Sequence, residues 1–259
     1  MNSLAPPWKW ERYVWPVVAT ALLLLVWHVL VRWTSSTVFP SPLDVERGVA
    51  ELFRKGVVWR YIGDSLRRVG LGFSLATVLA IPLGLILGWY PQAAQVVNPV
   101  IQMLRPLSPI AWIPVAIVWF GVGDGAAVFL IFLGAFFPIV VTSMNGVRNV
   151  PSVVRRAGRN FGLTPLQLLA KVVFPAALPQ IIIGVRIALG IAWLVVVAAE
   201  MIAVDSGLGY LVIDARNSGK RYDLVVAAML MIGGIGLALD IGVRRLETLK
   251  PVRWGFRES

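Results

Sequence analysis

Long apolar runs constrain this chain more than any other feature of its sequence. Six runs of about 19 residues or more follow one another along the 259 residues, at roughly 14–33, 65–90, 99–120, 126–144, 179–204 and 222–243. Each is long enough to cross a hydrocarbon core of about 30 Å as a helix. Hydrophobic residues make up 58% of the chain and the mean hydropathy is +0.79. The sequence therefore predicts an all-α polytopic membrane protein with six transmembrane helices in one domain.

The first apolar run has a basic flank, Lys9 and Arg12, of the kind that precedes a signal peptide. The run is longer than the apolar part of a signal peptide, about 7–15 residues, and no small-residue cleavage site follows it. We therefore expect a retained transmembrane helix. Six spans place both termini on the same side of the membrane.

Charge and cysteine content narrow the function classes. The net charge is +11, but the basic residues cluster between the apolar runs, so anionic lipid is a simpler partner than nucleic acid. The absence of cysteine excludes disulfides, thiolate metal sites and cysteine nucleophiles. The single histidine, His28, lies inside the first run and is expected to pack or form a hydrogen bond rather than bind a metal.

A polar, basic segment separates the fourth apolar run from the fifth. We call Asn149–Pro179 the polar segment. Its apolar residues form two sets at helical spacing: Val153, Ala157, Phe161 and Leu163, then Leu166, Leu168, Leu169, Val172 and Val173. Gly162 divides the sets, and Pro165 suits the first turn of a second helix. Two short helices joined at a glycine predict a surface that docks onto another protein; the alternative is an ordinary loop with an interfacial helix.

The second apolar run carries a small residue at every fourth position. These residues are Gly72, Ala76, Ala80, Gly84 and Gly88. On a helix they form a shallow groove into which another backbone can fit closely. The partner is either another helix of the same chain or a second copy, and a six-helix bundle favours the former.

Prolines mark the second and third runs. Pro82 is expected to kink the second, and Pro106, Pro109 and Pro114 predict that the third is broken rather than straight. Broken helices are tolerated where they line a cavity or are covered by neighbours. Arg105 directly precedes these prolines, so it is a candidate for a translocation path; the alternative is a structural role, bonded to freed carbonyls.

Asp124, in the GVGDG turn, is expected to have no binding role.

The fifth run carries a polar stripe on one helix face. Arg186, Trp193 and Glu200 are separated by seven and seven residues, and seven residues rotate a helix by only about 20°. The two charges lie about 21 Å apart along the axis, too far to pair with each other. Since unpaired charges are costly in lipid, the stripe is a candidate for a water-filled path. The alternative is that both charged residues lie near the membrane boundaries and cap neighbouring helices.

Several motifs are absent. There is no GxxxxGK[ST] loop, so the chain is not expected to hydrolyse ATP, and no HExxH or acidic cluster that would hold a metal. No inverted internal repeat is evident, which counts against a secondary transporter. A secondary transporter or channel without an ATPase partner remains the alternative function.

From Asp64 onward the chain resembles permeases of the nitrate, sulfonate and taurine group of ABC importers. The resemblance rests on the polar segment and on four strings: SLRRVGLGFSLATVLAIPLGLILG, LRPLSPIAWIPVAIVWFG, GVRIALGIAWLVVVAAEMI and GLGYLVIDARN. It implies a type I importer permease, or MetI-like, fold. It also implies a small solute, mostly an anion such as nitrate, bicarbonate, a sulfonate or taurine, with Arg186 and Trp193 lining its path.

The polar segment resembles the EAA coupling motif of these permeases. Arg156-Ala157-Gly158 stands where the Glu-Ala-Ala run would be, and Gly162 matches the glycine that follows it. Leu178-Pro179 matches the close of the motif, and Leu166 and Leu169 belong to the apolar helix between. The sequence departs from the motif at Arg156, which replaces the acid, and at Gly158, which replaces the second alanine.

The resemblance further implies partners and a location. These are two ATPase subunits that bind ATP and Mg²⁺, a second permease copy, and a soluble binding protein outside. The implied location is the bacterial cytoplasmic (inner) membrane, with both termini cytoplasmic. Basic residues alone barely favour this orientation, twelve inside against ten outside. We expect one permease domain, 1–259, with an N-terminal helix and loop (1–63), core helices (64–243) containing a coupling loop (145–178), and a tail (244–259).

Overall fold

The structure, a computed structural model, describes residues 11–34 and 39–247. Its regular elements are all helical. They are α1 (Glu11–Thr34), α2 (Pro42–Arg54), α3 (Val57–Trp89), α4 (Pro91–Leu104), a 3-10 turn (Pro109–Trp112), α5 (Ile113–Phe120), α6 (Asp124–Arg148), α7 (Ser152–Asn160), α8 (Pro165–Leu168), a π-helical turn (Leu169–Val173), α9 (Phe174–Ile202), α10 (Leu208–Asn217) and α11 (Tyr222–Glu247). The predicted all-α fold is confirmed.

Among the residues that the structure describes, five single stretches are long and apolar enough to cross a membrane. They are Val14–Thr34, Val57–Trp89, Asp124–Arg148, Pro165–Ile202 and Tyr222–Arg245. The sixth candidate is a pair, Pro91–Leu104 and Pro109–Phe120, bent by 84°. The bend falls at Pro106 and Pro109, where the sequence predicts a break, because proline has no N–H with which to continue a helix.

Three spans begin earlier than the sequence predicts, and one of them is the broken pair, which starts at Pro91 rather than near residue 99. Helix α3 begins at Val57 rather than near Ser65, and a helical path leads from Pro165 into α9 rather than beginning at Pro179. Hydropathy marks only the apolar length that lipid requires, and a helix continues past it wherever its polar residues reach the surface.

The small-residue stripe of α3 packs against α6 in the same chain. A Cβ atom added at Gly84 would lie 2.5 Å from the Cβ of Ser143, and one at Gly88 would lie 2.6 Å from the Cβ of Val147. The two alanines of the stripe are fully buried. The backbones approach this closely only because these positions lack bulk. Internal packing, the favoured interpretation of the stripe, is thus confirmed.

Helices α3, α6 and α9 surround the main core. Helix α6 ends where the polar segment starts, and α9 follows that segment, so we refer to the polar-segment end and the opposite end of the bundle. A second apolar cluster joins α2, α10 and α11 at the opposite end, and a third lies beneath the polar segment. Helix α1 lies at the edge, with most of its apolar surface exposed.

The expected division of the chain at 63/64 and 243/244 stays a prediction. The flanking Lys9, and the tail beyond residue 247, lie outside the described residues.

Candidate functional site

The polar segment forms two short helices joined at a glycine. Helix α7 ends at Asn160, and Gly162 has a φ of +75°, a conformation in which a side chain would be strained. The Thr164 hydroxyl accepts a hydrogen bond from the Gln167 backbone N–H, and the Gln167 side chain accepts one from the Thr164 N–H. This capping box fixes the start of α8, with Pro165 in its first turn as predicted.

The inner face of the polar segment packs on the ends of α6 and α9. Leu168 is buried there, and a Cβ atom at Gly158 would collide with its side chain. The surrounding cluster consists of Val147, Val150, Val173, Ala177 and Ile181. Pro179, the close of the motif, is buried within α9. Gly158 therefore lets α7 lie directly on Leu168, an approach that alanine would obstruct.

The outer face of the polar segment presents apolar side chains to its surroundings. Phe161 is 85% exposed and Leu166 is 75% exposed. Leu169, by contrast, is half-buried against the cluster beneath the segment. Of the two leucines assigned to a docking surface, only Leu166 is fully open. Exposed apolar patches rimmed by polar residues commonly mark protein interaction sites.

Arg156, which replaces the acid of the motif, is exposed on α7 beside the exposed Ala157. Its Nη2 donates a 3.4 Å hydrogen bond to the Ser152 hydroxyl one turn earlier. Within the described part of the chain, no carboxylate pairs with Arg156. The charge is therefore available to a partner.

Glu200, one member of the α9 stripe, is fully buried at the opposite end of the bundle. Its carboxylate accepts a 2.8 Å hydrogen bond from Arg68 Nη1 and another of 2.8 Å from the Ser65 hydroxyl. The Gly209 backbone N–H donates a third, of 3.0 Å. Gly207, with a φ of +104°, lies directly beside this carboxylate and leaves no room for a side chain. Glu200 thus lies in packed interior, with hydrogen-bond partners on both oxygens.

Arg68 is the centre of this buried cluster and is only 2% exposed. Its Nε donates a 2.6 Å hydrogen bond to Asp124, while Nη1 and Nη2 donate to the backbone oxygen (2.8 Å) and hydroxyl (2.6 Å) of Ser206. Arg67 pairs with the same Asp124 from the surface. The cluster therefore ties α3 to α6, α9 and the loop before α10. The described residues contain no cluster of three or more His, Cys, Asp or Glu side chains that could hold a metal ion.

Sequence reasoning missed the buried cluster. Asp124 was assigned no binding role, yet it begins α6 and pairs with two arginines. One signal was present: Arg68 lies four residues before Gly72, in line with the small-residue stripe that faces α6. That register places Arg68 on the buried side of α3, where a carboxylate partner is required.

Arg186 also finds a partner on another helix. Its Nε donates a 2.7 Å hydrogen bond to Asp240 Oδ1 and its Nη2 one of 3.2 Å to Oδ2. Asp240 in addition forms a 3.2 Å ion pair with Arg244. Asp240 therefore offsets the charge of Arg186 only in part, because one carboxylate is shared by two guanidinium groups.

Trp193 packs into the same junction between α9 and α11. Its Nε1 donates a 3.0 Å hydrogen bond to the Ile232 carbonyl oxygen. A Cβ atom at Gly236 would lie 2.9 Å from the indole ring, so only glycine admits the ring here. Arg186, Trp193 and Asp240 line a cavity of about 160 Å³.

Arg105 is exposed at the break between α4 and α5. One cavity beside it, of about 330 Å³, lies between the break, α6 and α9, and a second, of about 560 Å³, lies between α4 and the last turns of α6. Within residues 11–34 and 39–247, Arg105 forms no ion pair or hydrogen bond through its side chain. Of the three charged residues predicted for a path, Arg105 alone therefore lacks a partner in this part of the chain.

The comparisons with known proteins decide the family. Residues 80–249 match the family described as the inner membrane component of binding-protein-dependent transport systems. The chain belongs to this family. It is a multi-pass permease of an ABC importer, and the alternative of a secondary transporter or channel is set aside.

The similarity to known permeases covers nearly the whole chain. This permease is 45% identical over 249 residues to an ABC transporter permease protein of Methanocaldococcus jannaschii, covering 92% of this chain and 91% of that one. It is 33% identical over 262 residues to the taurine transport system permease protein of Escherichia coli (95% and 93% covered). It is 35% identical over 247 residues to the nitrate import permease protein of Synechocystis (92% and 89% covered).

A solved structure shares the fold. A chain of the MetNI methionine ABC transporter, in an inward-facing conformation, superimposes with a TM-score of 0.67 at 19% identity. The match covers 74% of this permease and 95% of that chain. The MetI-like fold implied by the resemblance is confirmed.

Proposed function

We propose that the permease forms the path for a small anion, such as nitrate, a sulfonate, taurine or bicarbonate, within a larger complex. The complex contains two permease copies, two ATPase subunits that bind and hydrolyse ATP with Mg²⁺, and a soluble binding protein that delivers the anion. The observation that carries this proposal is the exposed apolar surface of the polar segment, on the side away from the helix bundle. The names of the nitrate and taurine relatives support an anion as the solute.

In this proposal the polar segment is the coupling element, and it contains the ATPase contact. Leu166, with Phe161, inserts into the ATPase, while Arg156 and Ala157 line the rim of the contact. Gly158, Gly162 and Pro179 shape the segment, and Leu169 anchors it to the helices below. A short helix clamped at both ends by packed helices transmits a displacement as a rigid body, because packed interiors deform little.

The proposed orientation follows from the ATPase. Because ATP is cytoplasmic, the polar segment and both chain termini lie on the cytoplasmic side of the inner membrane. The opposite end of the bundle, with α2 and α10, then faces outward and receives the binding protein. The basic-residue count agrees only weakly with this orientation.

We assign the path to the helices that carry the predicted charges. Arg105 contributes a positive charge at the broken helix that no described carboxylate compensates, which suits an anion in transit. Arg186 and Trp193 line the α9–α11 cavity, with the charge of Arg186 moderated by Asp240. Glu200 holds the opposite end together through Arg68 rather than meeting the solute.

The proposed cycle is alternating access. ATP binding closes the ATPase dimer and draws the two polar segments together, so that the bundle opens outward and accepts the anion from the binding protein. Hydrolysis lets the polar segments separate, and the path reopens toward the cytoplasm.

The test is reconstitution. The permease co-expressed with its cognate ATPase should purify as a complex with two copies of each, measured by native mass spectrometry. In liposomes, the complex should take up labelled nitrate or taurine only with ATP and the cognate binding protein. Uptake by the permease without an ATPase would overturn the proposal.

A further inference from the structure

A cavity of about 560 Å³ separates α4 from the last turns of α6, next to the polar segment. Two arginines and three carboxamides line it: Arg105, Arg148, Asn98, Gln102 and Asn145. The remaining lining residues are apolar, and none of the lining residues is acidic. Along α4 the polar lining residues span seven positions, or about 10 Å, and on α6 Asn145 and Arg148 lie three positions, or about 4.5 Å, apart.

Neither arginine is neutralised by a residue that the structure describes. In the part of the chain that the structure describes, Arg105 and Arg148 form no ion pair and no side-chain hydrogen bond. Two less exposed arginines of the bundle behave differently: Arg68 pairs with Glu200, and Arg186 pairs with Asp240. Both side chains are exposed at the cavity, so their guanidinium N–H groups are open to an anion or to water.

The lining groups fit one kind of anion. A guanidinium presents parallel N–H donors that match two oxygens of a planar or tetrahedral oxyanion. Carboxamides add neutral N–H donors, which bind an oxyanion without holding it as tightly as a further cation would. The volume is at the lower part of the range for small-molecule sites, about 300–1,000 Å³, and leaves room for a partly hydrated ion.

We propose that Arg105 and Arg148, together with Asn98, Gln102 and Asn145, form a low-affinity site for an oxyanion group. Resting on the proposed function and its orientation, this site lies in the cytoplasmic half of the path, where the solute waits before release. The recognised chemistry is an oxyanion held by two guanidinium groups and amide donors. A free solute anion and the phosphate of a lipid headgroup both carry that chemistry.

The experiment measures anion-dependent stability of the purified permease–ATPase complex. Sodium nitrate or sodium methanesulfonate is exchanged for sodium chloride at a constant total of about 100 mM, so that the ionic strength and the anion charge stay constant, and the substitutions below separate site binding from general salt effects. A ligand that binds only the folded state raises its melting temperature. We expect a rise of about 2 °C or more for the wild-type complex.

Substitutions then place the effect. Arg105→Gln and Arg148→Gln should each reduce the nitrate-dependent rise, and the double variant should abolish it. Arg105→Lys and Arg148→Lys keep the charge and should retain part of the rise, which separates loss of the site from loss of the fold. Arg54→Gln is the matched control: Arg54 is exposed at the end of α2, far from the cavity, and should leave the rise unchanged.

A lipid arm identifies the source of the oxyanion. The delipidated complex is titrated with phosphatidylglycerol in place of nitrate. A solute site predicts a nitrate response that added lipid leaves intact. A lipid site predicts that phosphatidylglycerol raises the melting temperature, that Arg148→Gln removes this rise, and that nitrate adds nothing.

The failure of this proposal is distinct from failure of the proposed function. If the complex assembles and hydrolyses ATP, but both glutamine variants respond to nitrate and lipid as the wild type does, the oxyanion site is wrong and the importer assignment stands. If no ATPase binds, the proposed coupling fails, while the anion response of the permease itself still tests the site.

Discussion

Arg68 on α3 and Glu200 on α9 form a 2.8 Å ion pair, with side chains that are 2% and 0% exposed. The two residues are 132 positions apart in the chain. Arg68 extends the connection to Asp124 at the start of α6 and to Ser206 before α10. The ends of the three central helices are therefore joined by one buried cluster, on the side of the bundle away from the polar segment.

Removing Arg68 should strongly destabilise the permease. Arg68→Met leaves the buried carboxylate of Glu200 without its cation, and breaking a buried pair in this way costs about 3–5 kcal/mol. Glu200→Gln should cost less, because Arg68 keeps Asp124. Thermal melting of the solubilised permease measures both. The neighbouring Arg67→Met is the control. Because Arg67 pairs with Asp124 at the surface, this substitution should cost less than about 1 kcal/mol. Equal losses of stability in Arg67→Met and Arg68→Met would contradict the prediction.

The α3–α6 contact should be sensitive to a single methyl group. Gly84→Ala places a Cβ atom 2.5 Å from the Cβ of Ser143 and 2.7 Å from the Val140 carbonyl oxygen, so backbone must move. Such overpacking costs about 1–3 kcal/mol. Gly70→Ala on the same helix meets nothing within 4 Å and should be neutral. If the melting temperatures of both variants fall alike, the effect comes from replacing glycine by alanine in the helix and not from the packing of α3 against α6.

The ATPase contact should depend on Leu166 without affecting the fold. Because Leu166 is 75% exposed, Leu166→Asp should leave the melting temperature of the permease unchanged. In the complex it would bury an unpaired charge, at a cost of several kcal/mol, and co-purification of the ATPase should be lost. Leu169→Asp should lower both the melting temperature and the co-purification of the ATPase, since Leu169 is half-buried. Arg156→Glu should be tolerated better than either leucine variant. Normal ATPase binding by Leu166→Asp would show that the docking surface has been assigned to the wrong residues.

Arg186 and Asp240 allow a transport role to be separated from a structural one. If Arg186 attracts the anion, Arg186→Gln removes an attraction of about 1–4 kcal/mol and uptake should fall by about fivefold or more, while Arg186→Lys retains more. Asp240→Asn should then not lower uptake, because it leaves the arginine charge in place. If the pair is only structural, Arg186→Gln and Asp240→Asn should lower the melting temperature alike and affect uptake alike. Uptake and melting of the same samples distinguish the two.

The contact between α2 and the start of α11 should weaken in acid. Glu51 accepts a 2.6 Å hydrogen bond from Arg221 and another of 2.6 Å from Lys55, and these lower its pKa to about 2. A lowered pKa means that the ionised carboxylate stabilises the fold above the ordinary pKa of 4.5, and that this contribution is lost as the pH falls from there toward about 2. Glu51→Gln should therefore melt below the wild type at neutral pH and converge with it in acid. A difference that persists unchanged in acid would contradict this.

Much of the fold follows from local patterns that the sequence displays openly. The apolar runs, the break at Pro106 and Pro109, the stripe on α3 and the junction at Gly162 were all predicted. Each depends on residues a few positions apart, through periodicity, the missing N–H of proline or the freedom of glycine. For the same reason the sequence could place Glu200 and Arg186 on one face of α9 and exclude a pair between them.

What the sequence could not determine was the partner of each charge. Arg68 meets Asp124 across 56 positions, and Arg186 meets Asp240 across 54. Arg105 instead shares a cavity with Arg148 and pairs with no carboxylate in the described part of the chain. Periodicity tells which face of a helix a residue occupies, but not which helix packs on that face. The sequence by itself therefore determined the spans, their breaks and the form of the polar segment. Only the tertiary structure decided which charges find a partner among the described residues, because that depends on which helices pack together.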